Sequence, residues 1–328
     1  MTDTPVLTAE PRPFGRLPVR VGPLGLGTYH LTADRLVPHD EALRLVRAAA
    51  DAGITLYDTA PMYGLGEAEA ILAEALGTRL GDQVVIDKIG RFEKSIVARL
   101  GDRGYREPAV MLAQFEHSLR VLGLERLPVL LLHESDWDEW WDDTPGGLSG
   151  PVLDLVDRLR SRGLVGGVGL SVRKPGRAEQ LIRSGLFDAM LFVHYYNIVW
   201  QEAGQSAIRT AAEHDLGIAI GAPYRQGLLT STDPALLDRL TAERRSSVPP
   251  GIIERIGACQ DIARGAGLSM LELGLRWLLD DRRVHSVVVG PRSVAELAEN
   301  VRWAGAGPLP AEVTAELGKI TDIPVGAW

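Results

Sequence analysis

Four ionisable side chains stand at or just after short apolar runs whose composition predicts buried strands. Asp58 ends the run ITLYD, Lys88 lies near the end of VVIDKIG, and His133 ends PVLLLH. Tyr63 follows Asp58 by five residues, in the loop sequence APMYGLGE. The carboxyl ends of neighbouring parallel strands meet at one edge of a sheet, so we expect these four side chains to converge.

Together, the four side chains could move a proton to or from a carbonyl oxygen. A tyrosine phenol has an ordinary pKa near 10, and an adjacent ammonium group lowers that pKa. Lys88 can supply the ammonium group, and Asp58 is a counterion that makes its burial less costly. His133 can donate a hydrogen bond to the substrate oxygen, which leaves Tyr63 as the general acid or base.

Each of these residues also fits a structural role when it is considered alone. Asp58 could cap a helix near Gly66, Lys88 could extend from a strand end to solvent, and His133 could be a hydrogen-bonded core histidine. Four coincidences at adjacent strand ends are much less common than one. Taken together, the residues therefore favour catalysis.

The elements that must position these residues alternate between short aliphatic runs and longer amphipathic segments, a pattern typical of parallel βαβ units. Eight strands are predicted, at 24–28, 54–59, 84–89, 128–133, 164–172, 189–194, 218–222 and 286–290. Eight parallel strands joined by right-handed crossovers can close into a barrel, which removes the exposed edges of an open sheet. The sequence therefore predicts an α/β fold, a (β/α)8 TIM barrel.

Helices are predicted between the strands, because apolar residues recur there at three- and four-residue spacing. They cover 40–53, 66–76, 108–122, 152–162, 177–184, 201–213, 251–266 and 294–303. An extra helix from Ser269 precedes the last strand, and 14–21 reads as a short hairpin before the first. No linker divides the chain, so we expect a single domain over residues 1–328.

Composition and charge exclude several classes of partner. The net charge of -8 gives no reason to approach nucleic acid or an anionic membrane. The lone cysteine, Cys259, allows no disulfide framework, and no metal site is predicted. The acidic, proline-rich start is unlike a secretory signal, and no apolar run approaches the roughly 20 residues of a membrane span. We expect a cytoplasmic protein, either a monomer or a small homo-oligomer.

The tetrad of Asp58, Tyr63, Lys88 and His133, in this order and spacing, resembles that of the aldo-keto reductase superfamily. The segment AGITLYDTAPMYGLGEAE resembles the family signature, and the likeness covers nearly all the chain. The resemblance implies reversible hydride transfer between C4 of a nicotinamide and a carbonyl or hydroxyl carbon, with Tyr63 as general acid or base. HYYNI and the GAP segment look most like the aldose 1-dehydrogenase branch, which includes L-galactose and L-fucose dehydrogenases.

The cofactor site implied by this resemblance departs from a Rossmann cradle, for which the sequence has no GxGxxG turn. The family binds its dinucleotide across the ends of late strands. Relatives commonly have Asn where this chain has Val172, and Gln where it has Val193. They commonly have an aromatic residue, which stacks on the nicotinamide, where this chain has Gly221. Tyr195, Tyr196 or Tyr224 could compensate for these missing cofactor contacts. The implied cofactor residues are Thr28, Asp58, Ser171, Gly221, Ala222, Pro223, Gly227, Gly290, Arg292, Ser293, Glu299 and Asn300.

NAD and NADP both remain open, with NADP slightly favoured. Arg292 and Ser293 precede a predicted helix whose N-terminal amides favour an anionic phosphate, and they could bind a 2′-phosphate. Glu296, which stands where NADP-preferring relatives often have Arg, would repel that phosphate. Arg292 could equally be a solvated charge at a helix start.

Substrate selectivity is expected in the loop after His133, ESDWDEWWDDTPGGLSG, which combines three tryptophans with six acidic residues. Indole rings and carboxylates suit a polyol or an amine, although such a loop could also be a simple solvated surface. The candidate substrate contacts are Tyr29, Tyr63, His133, Trp137 and Trp140. An aldose is favoured; the alternatives are aldehyde or ketone reduction in specialised metabolism and, against the intact tetrad, a non-catalytic NADPH-sensing subunit.

Overall fold

Eight parallel strands close into a barrel in the computed structural model, which describes residues 5–35, 37–92, 94–101, 106–142, 148–230, 235 and 249–325. In chain order the barrel strands are β3 (Leu24–Gly27), β4 (Leu56–Asp58), β5 (Val84–Ile89), β6 (Leu127–Leu132), β7 (Val165–Val172), β8 (Ala189–Val193), β9 (Gly217–Gly221) and β10 (Ser286–Val289). Each strand pairs with the next, and β10 closes the ring by pairing with β3. The predicted barrel is confirmed, with strand ends shifted by one or two residues.

Helices cover the outside of the barrel: α1 (His39–Asp51), α2 (Glu67–Leu76), α3 (Lys94–Leu100), α4 (Pro108–Leu122), α5 (Pro151–Ser161), α6 (Pro175–Arg183), α7 (Ala207–Glu213), α8 (Pro250–Ala266), α9 (Met270–Asp280), α10 (Val294–Ala304) and α11 (Ala311–Gly318). Four of them carry a proline in the first turn, where its missing N–H costs nothing. The extra helix is α9, and its N-cap Ser269 accepts a hydrogen bond from the Glu272 N–H at 3.0 Å. No helix in the described part of the chain is both long and apolar enough to cross a membrane.

The helix prediction needs three corrections. The sequence pattern did not separate α3 and α11 from the surrounding loops. The single helix predicted over 201–213 is broken, because Ser206 has φ -126° and ψ -99°, which lie outside the helical region. A 3-10 turn, Glu202–Gln205, precedes that break and α7 follows it.

A short hairpin closes the amino-terminal end of the barrel, as the sequence predicts. It consists of β1 (Arg12–Phe14) and β2 (Leu17–Val21), which pair antiparallel. Phe14 is fully buried, and a Cβ added at Gly217 would lie 2.7 Å from its ring, so the glycine makes room for it. The ring packs among the inward-facing aliphatic side chains of the barrel. Within the described residues this end is therefore plugged, and the ligand cavity is expected at the carboxyl ends of the strands.

Candidate active site

A cavity of about 590 Å³ opens at the carboxyl ends of the barrel strands. Residues on, or immediately after, all eight strands contribute to its wall. Asp58, Tyr63, Lys88 and His133 all lie on this wall. The structure therefore brings the four predicted catalytic side chains to one place.

Lys88 and Asp58 form a buried ion pair on neighbouring strands. The Lys88 Nζ atom lies 2.6 Å from Asp58 Oδ1 and also donates a hydrogen bond of 2.6 Å to the Thr59 carbonyl oxygen. Burial opposes the charged form of Lys88, but Asp58 and Tyr63 outweigh burial and raise the pKa of Lys88 above its ordinary value. Burial also raises the pKa of Asp58, and Lys88 opposes that rise. The ammonium group is therefore held charged and fixed in position.

Tyr63 begins a tight turn that folds its phenol back over the barrel mouth. The turn depends on Gly64 and Gly66, whose positive φ values of 60° and 94° are readily adopted by glycine. The Lys88 Nζ atom lies 4.8 Å from the centre of the Tyr63 ring. Burial raises the pKa of Tyr63 to about 12, although Lys88 opposes the rise. The ammonium group therefore lowers the pKa of Tyr63 as expected, but burial raises it by more, and the phenol is protonated at neutral pH.

His133 is a neutral hydrogen-bonding group in this environment. Burial lowers its pKa well below the ordinary value, and the charges of Lys88, Arg91 and Arg173 lower it further. Its ring lies edge-on to the Tyr63 ring, with 6.0 Å between the ring centres. A neutral imidazole beside a phenol can donate a hydrogen bond to an oxygen that the phenol protonates.

The backbone beyond three of the barrel strands is held in the left-handed region without glycine. Glu134 follows β6 with φ 56°, His194 follows β8 with φ 73°, and Ala222 follows β9 with φ 49°. All three residues line the cavity. Such conformations cost roughly 1–3 kcal/mol each and concentrate at functional sites, where surrounding packing maintains them. The strained backbone at these three positions therefore supports a functional role for the cavity rim.

Ten of the predicted cofactor residues line the cavity. They are Asp58, Ser171, Gly221, Ala222, Pro223, Gly227, Gly290, Arg292, Glu299 and Asn300. Thr28 lies behind the wall, where its hydroxyl donates to the Asp58 carbonyl oxygen at 3.1 Å. Ser293 instead caps α10 by accepting the Glu296 N–H at 3.2 Å. Thr28 and Ser293 therefore stabilise the backbone beside the cavity and do not line its described wall.

The ends of β7, β9 and β10 fit an extended nicotinamide dinucleotide. A Cβ at Gly221 would lie 3.2 Å from the Leu191 side chain, and one at Gly290 would lie 3.2 Å from the His30 ring, so both glycines hold the rim open. Among the described residues, none hydrogen-bonds the Ser171 hydroxyl, which remains available to a ligand. The positive end of the α10 dipole also lies beside this rim.

Three tyrosines were candidates to replace the missing stacking residue. Only Tyr224 of these lies on the described cavity wall, and its hydroxyl donates to Asn300 Oδ1 at 3.1 Å. Tyr196 hydrogen-bonds Asp281 at 2.5 Å, and the Tyr195 ring packs against Trp200 with 5.9 Å between the ring centres. Of the three candidates, Tyr224 is therefore the one that the structure places where it could contact a cofactor.

Two tryptophans predicted to contact substrate lie off the cavity wall. Trp140 is fully buried, and a Cβ added at Gly90 would lie 2.0 Å from its ring, so the indole fills the space that this glycine leaves. Trp137 packs over the guanidinium of Arg91, with 5.6 Å between the guanidinium carbon and the ring centre. The structure therefore places the Trp140 side chain in the protein core, with its ring against Gly90. Residues 143–147 of the same loop lie outside the described residues.

Three charged residues on the cavity wall were missed by the sequence reasoning. Arg91, Glu134 and Arg173 lie just beyond β5, β6 and β7. Glu134 Oε1 lies 2.5 Å from Arg91 Nη1 and 3.1 Å from Arg173 Nη2. The signal that could have found them is their position, since each charge follows a strand end within three residues.

Comparison with known proteins places this chain in a family. The model of the Aldo/keto reductase family matches residues 23–322. A D-threo-aldose 1-dehydrogenase from Pseudomonas sp is 28% identical over 88% of this chain and 91% of its own. An L-glyceraldehyde 3-phosphate reductase from Escherichia coli O157:H7 is 26% identical over 96% and 93%, and an L-galactose dehydrogenase from Arabidopsis thaliana is 23% identical over 89% and 87%.

The solved structures agree on the fold. One described as an aldo-keto reductase from Pseudomonas aeruginosa superposes with a TM-score of 0.64 at 23% identity, over 92% of this chain and 97% of that one. Because the family model covers most of the chain, this protein belongs to the aldo/keto reductase family of oxidoreductases. The relatives are consistent with the aldose dehydrogenase branch that the sequence resembles. The family acts on small carbonyl or sugar substrates with a nicotinamide cofactor.

Proposed function

We propose that this protein transfers a hydride reversibly between a nicotinamide cofactor and the carbonyl or hydroxyl carbon of an aldose or another polar substrate. The observation that carries the proposal is the buried Lys88–Asp58 pair at 2.6 Å beneath the Tyr63 phenol, beside a neutral His133. A nicotinamide supplies or accepts the hydride at its C4 position. Ser171, Gly221 and Asn300 are among the residues that would hold the cofactor.

Each catalytic side chain has a distinct task in the reduction direction. Tyr63 gives its proton to the substrate oxygen, and the nearby Lys88 ammonium stabilises the phenolate that remains. Asp58 keeps that ammonium charged inside the barrel. His133 donates a hydrogen bond that holds the substrate oxygen against Tyr63. In oxidation the same proton returns from the substrate hydroxyl to Tyr63.

A matched kinetic screen tests the proposed activity. Aldoses would be assayed with NAD and NADP, and aldehydes and ketones with NADH and NADPH, by absorbance of the reduced cofactor. The proposal expects turnover on at least one polar substrate, with D-threo-aldoses, the substrate class named for one relative, tested first. Efficient turnover of apolar ketones alone would favour the specialised-metabolism alternative. Tight cofactor binding with no turnover across both panels would favour a sensing subunit.

A further inference from the structure

Two arginines face the cavity across one carboxylate. Arg91 lies beyond β5 and Arg173 beyond β7, and both contact the same oxygen of Glu134, at 2.5 and 3.1 Å. Among the described residues, Glu134 is the only carboxylate that contacts either guanidinium. The two arginine side chains are about one third exposed, at 34% and 35%, whereas that of Glu134 is 8% exposed. The arginines therefore keep donors available to the cavity.

The charges on this side of the cavity do not cancel. Lys88 and Asp58 form a neutral pair, and burial lowers the pKa of His133, and that of His194 to about 4, so both rings are neutral. Arg91 and Arg173 then face Glu134 alone, which leaves a local excess of one positive charge on this side of the cavity. The other charged residues of the described wall, Arg292, Glu296 and Glu299, follow β10.

A second carboxylate nearby is directed elsewhere. Asp136 is almost fully buried, and its Oδ2 accepts the backbone N–H groups of Arg173 and Lys174, at 3.0 Å each. Those bonds hold the start of α6 and leave the arginine side chain oriented toward the cavity. Asp136 is not among the described residues that line it.

Arg91 and Glu134, two members of this cluster, follow strands away from most of the expected cofactor residues. In the closed strand order β6 lies opposite β10, and most of the residues that fit the dinucleotide follow β9 and β10. Arg173 is the member of the cluster nearest to them in sequence, since it lies two residues beyond Ser171 at the end of β7. The cluster is beside the catalytic centre, since the charges of both arginines act on His133. Trp137 packs over the Arg91 guanidinium and helps to fix it, and the positive φ of Glu134 is a strained conformation that the surrounding structure must maintain.

We propose that Arg91 and Arg173 form a subsite for an anionic group, a carboxylate or a phosphate, carried by the substrate at a distance from its reacting carbon. The planar guanidinium group presents paired N–H donors that match two oxygens of a carboxylate or of a phosphate. The inference rests on the proposed function and narrows its substrate class to aldoses or aldehydes that carry a negative charge.

The kinetic test compares matched charged and neutral substrates. For wild type, kcat/KM for glyceraldehyde 3-phosphate should exceed that for glyceraldehyde by about tenfold or more, as hydrogen bonds to a charged group predict. Arg173→Gln should remove most of that preference without raising the KM for cofactor. Arg183→Gln, which removes an exposed arginine at the end of α6, should keep the wild-type preference for the phosphorylated substrate. Equal preference in wild type and Arg173→Gln, or a rise confined to the KM for cofactor, would overturn the subsite.

A binding test separates this inference from the proposed activity. Calorimetric titration with glycerol 3-phosphate, glycerate and glycerol, at saturating NADP, needs no turnover. The subsite predicts that the wild-type protein binds one or both anions more tightly than glycerol. Arg173→Gln should bind neither anion more tightly than glycerol, whereas Arg183→Gln should bind the anions with wild-type affinity. The affinities for glycerol 3-phosphate and for glycerate show whether the subsite prefers a phosphate or a carboxylate. Anion binding without any turnover would support the subsite and contradict the proposed activity. Turnover without a preference for charged substrates would support the activity and contradict the subsite.

Discussion

The protonation state of Tyr63 is set by its burial more than by its charged neighbour. Its pKa is raised to about 12, and the Lys88 ammonium reduces the rise without reversing it. At neutral pH the phenol is therefore ready to give a proton but not to accept one. If Tyr63 transfers the proton as proposed, the site is therefore better prepared for reduction than for oxidation at neutral pH.

The pH dependence of the two directions should differ for this reason. Across pH 7 to 10, kcat/KM for oxidation should rise about tenfold per pH unit, because the base is the minor phenolate form. Over the same range kcat/KM for reduction should stay level, because Tyr63 stays protonated below its pKa of about 12. Initial rates in both directions at constant ionic strength check this. An oxidation rate that is already level at pH 7 would contradict it.

At the residue scale, the convergence of the proposed tetrad could be predicted, whereas only the positions of the two arginines, and not the directions of their side chains, could be read from the sequence. Asp58, Lys88 and His133 end apolar strands, and the barrel rule alone brings such ends together. Arg91 and Glu134 lie beyond the strand ends, where side-chain direction depends on backbone angles such as the φ of 56° at Glu134. No periodicity in the sequence encodes those angles.

At the scale of the elements, the loop after β6 shows how burial reverses a sequence interpretation. Its acidic residues suggest an exposed segment, yet Trp140 is fully buried, because Gly90 at the end of β5 leaves room for the indole. Helices α3 and α11 were missed for the opposite reason, since their short patterns compete with surrounding loop residues. The long helices were predictable because their apolar spacing repeats over several turns.

Replacement of Trp140 should change stability and leave substrate affinity alone. Trp140→Phe leaves a cavity beside Gly90 and should lower the free energy of unfolding by about 1–3 kcal/mol. The KM for substrate should stay within about twofold of wild type, because the ring does not reach the cavity wall. Denaturant unfolding and steady-state kinetics measure the two effects, with Trp137→Phe as the partly exposed comparison. A large rise in KM with unchanged stability would restore Trp140 to the substrate site.

The start of α10 should control which dinucleotide is preferred. Glu296 accepts the Arg292 backbone N–H at 2.8 Å and lies 3.5 Å from its guanidinium, so its carboxylate neutralises the cation beside which a 2′-phosphate would bind. Glu296→Gln should therefore raise the ratio of kcat/KM for NADPH to that for NADH by about fivefold or more. Glu312→Gln, which removes an exposed carboxylate on α11, should leave the ratio unchanged. A lower ratio in Glu296→Gln would contradict this arrangement.

For the molecule as a whole, a buried pair of carboxyl groups lies between the barrel and its helices. Asp87 is next to Lys88 on β5, and because strand side chains alternate, it points outward to Glu69 on α2. Burial, and then the charge of Asp87, raise the pKa of Glu69 to about 9. Burial raises the pKa of Asp87 to about 6. Nothing in the sequence pattern pairs these two acids, since one lies on a strand and the other on a helix.

This pair should make the whole fold less stable as the pH rises. Glu69 has an ordinary pKa of 4.5 when unfolded and about 9 when folded, so between these values folding requires the uptake of a proton. That uptake costs up to about 1.4 kcal/mol more for each pH unit above 4.5, and Glu69→Gln abolishes it. The stability of Glu69→Gln relative to wild type should therefore increase from pH 5 to pH 8.

Denaturant unfolding at several pH values measures this difference. Glu312→Gln, a change to an exposed carboxylate on α11, should show no such trend. A difference between Glu69→Gln and wild type that does not vary with pH would show that Glu69 folds in its charged form.

The most direct test of the catalytic account is the turnover of Tyr63→Phe. This variant keeps the buried ring and removes only the proton-transferring hydroxyl, so kcat should fall by about 10²–10⁴-fold while the melting temperature and the Kd for cofactor stay unchanged. Tyr29→Phe, on the ring that contacts Tyr63 with 5.1 Å between the ring centres, should lose far less. A Tyr63→Phe enzyme that turns over as fast as wild type would contradict the central claim.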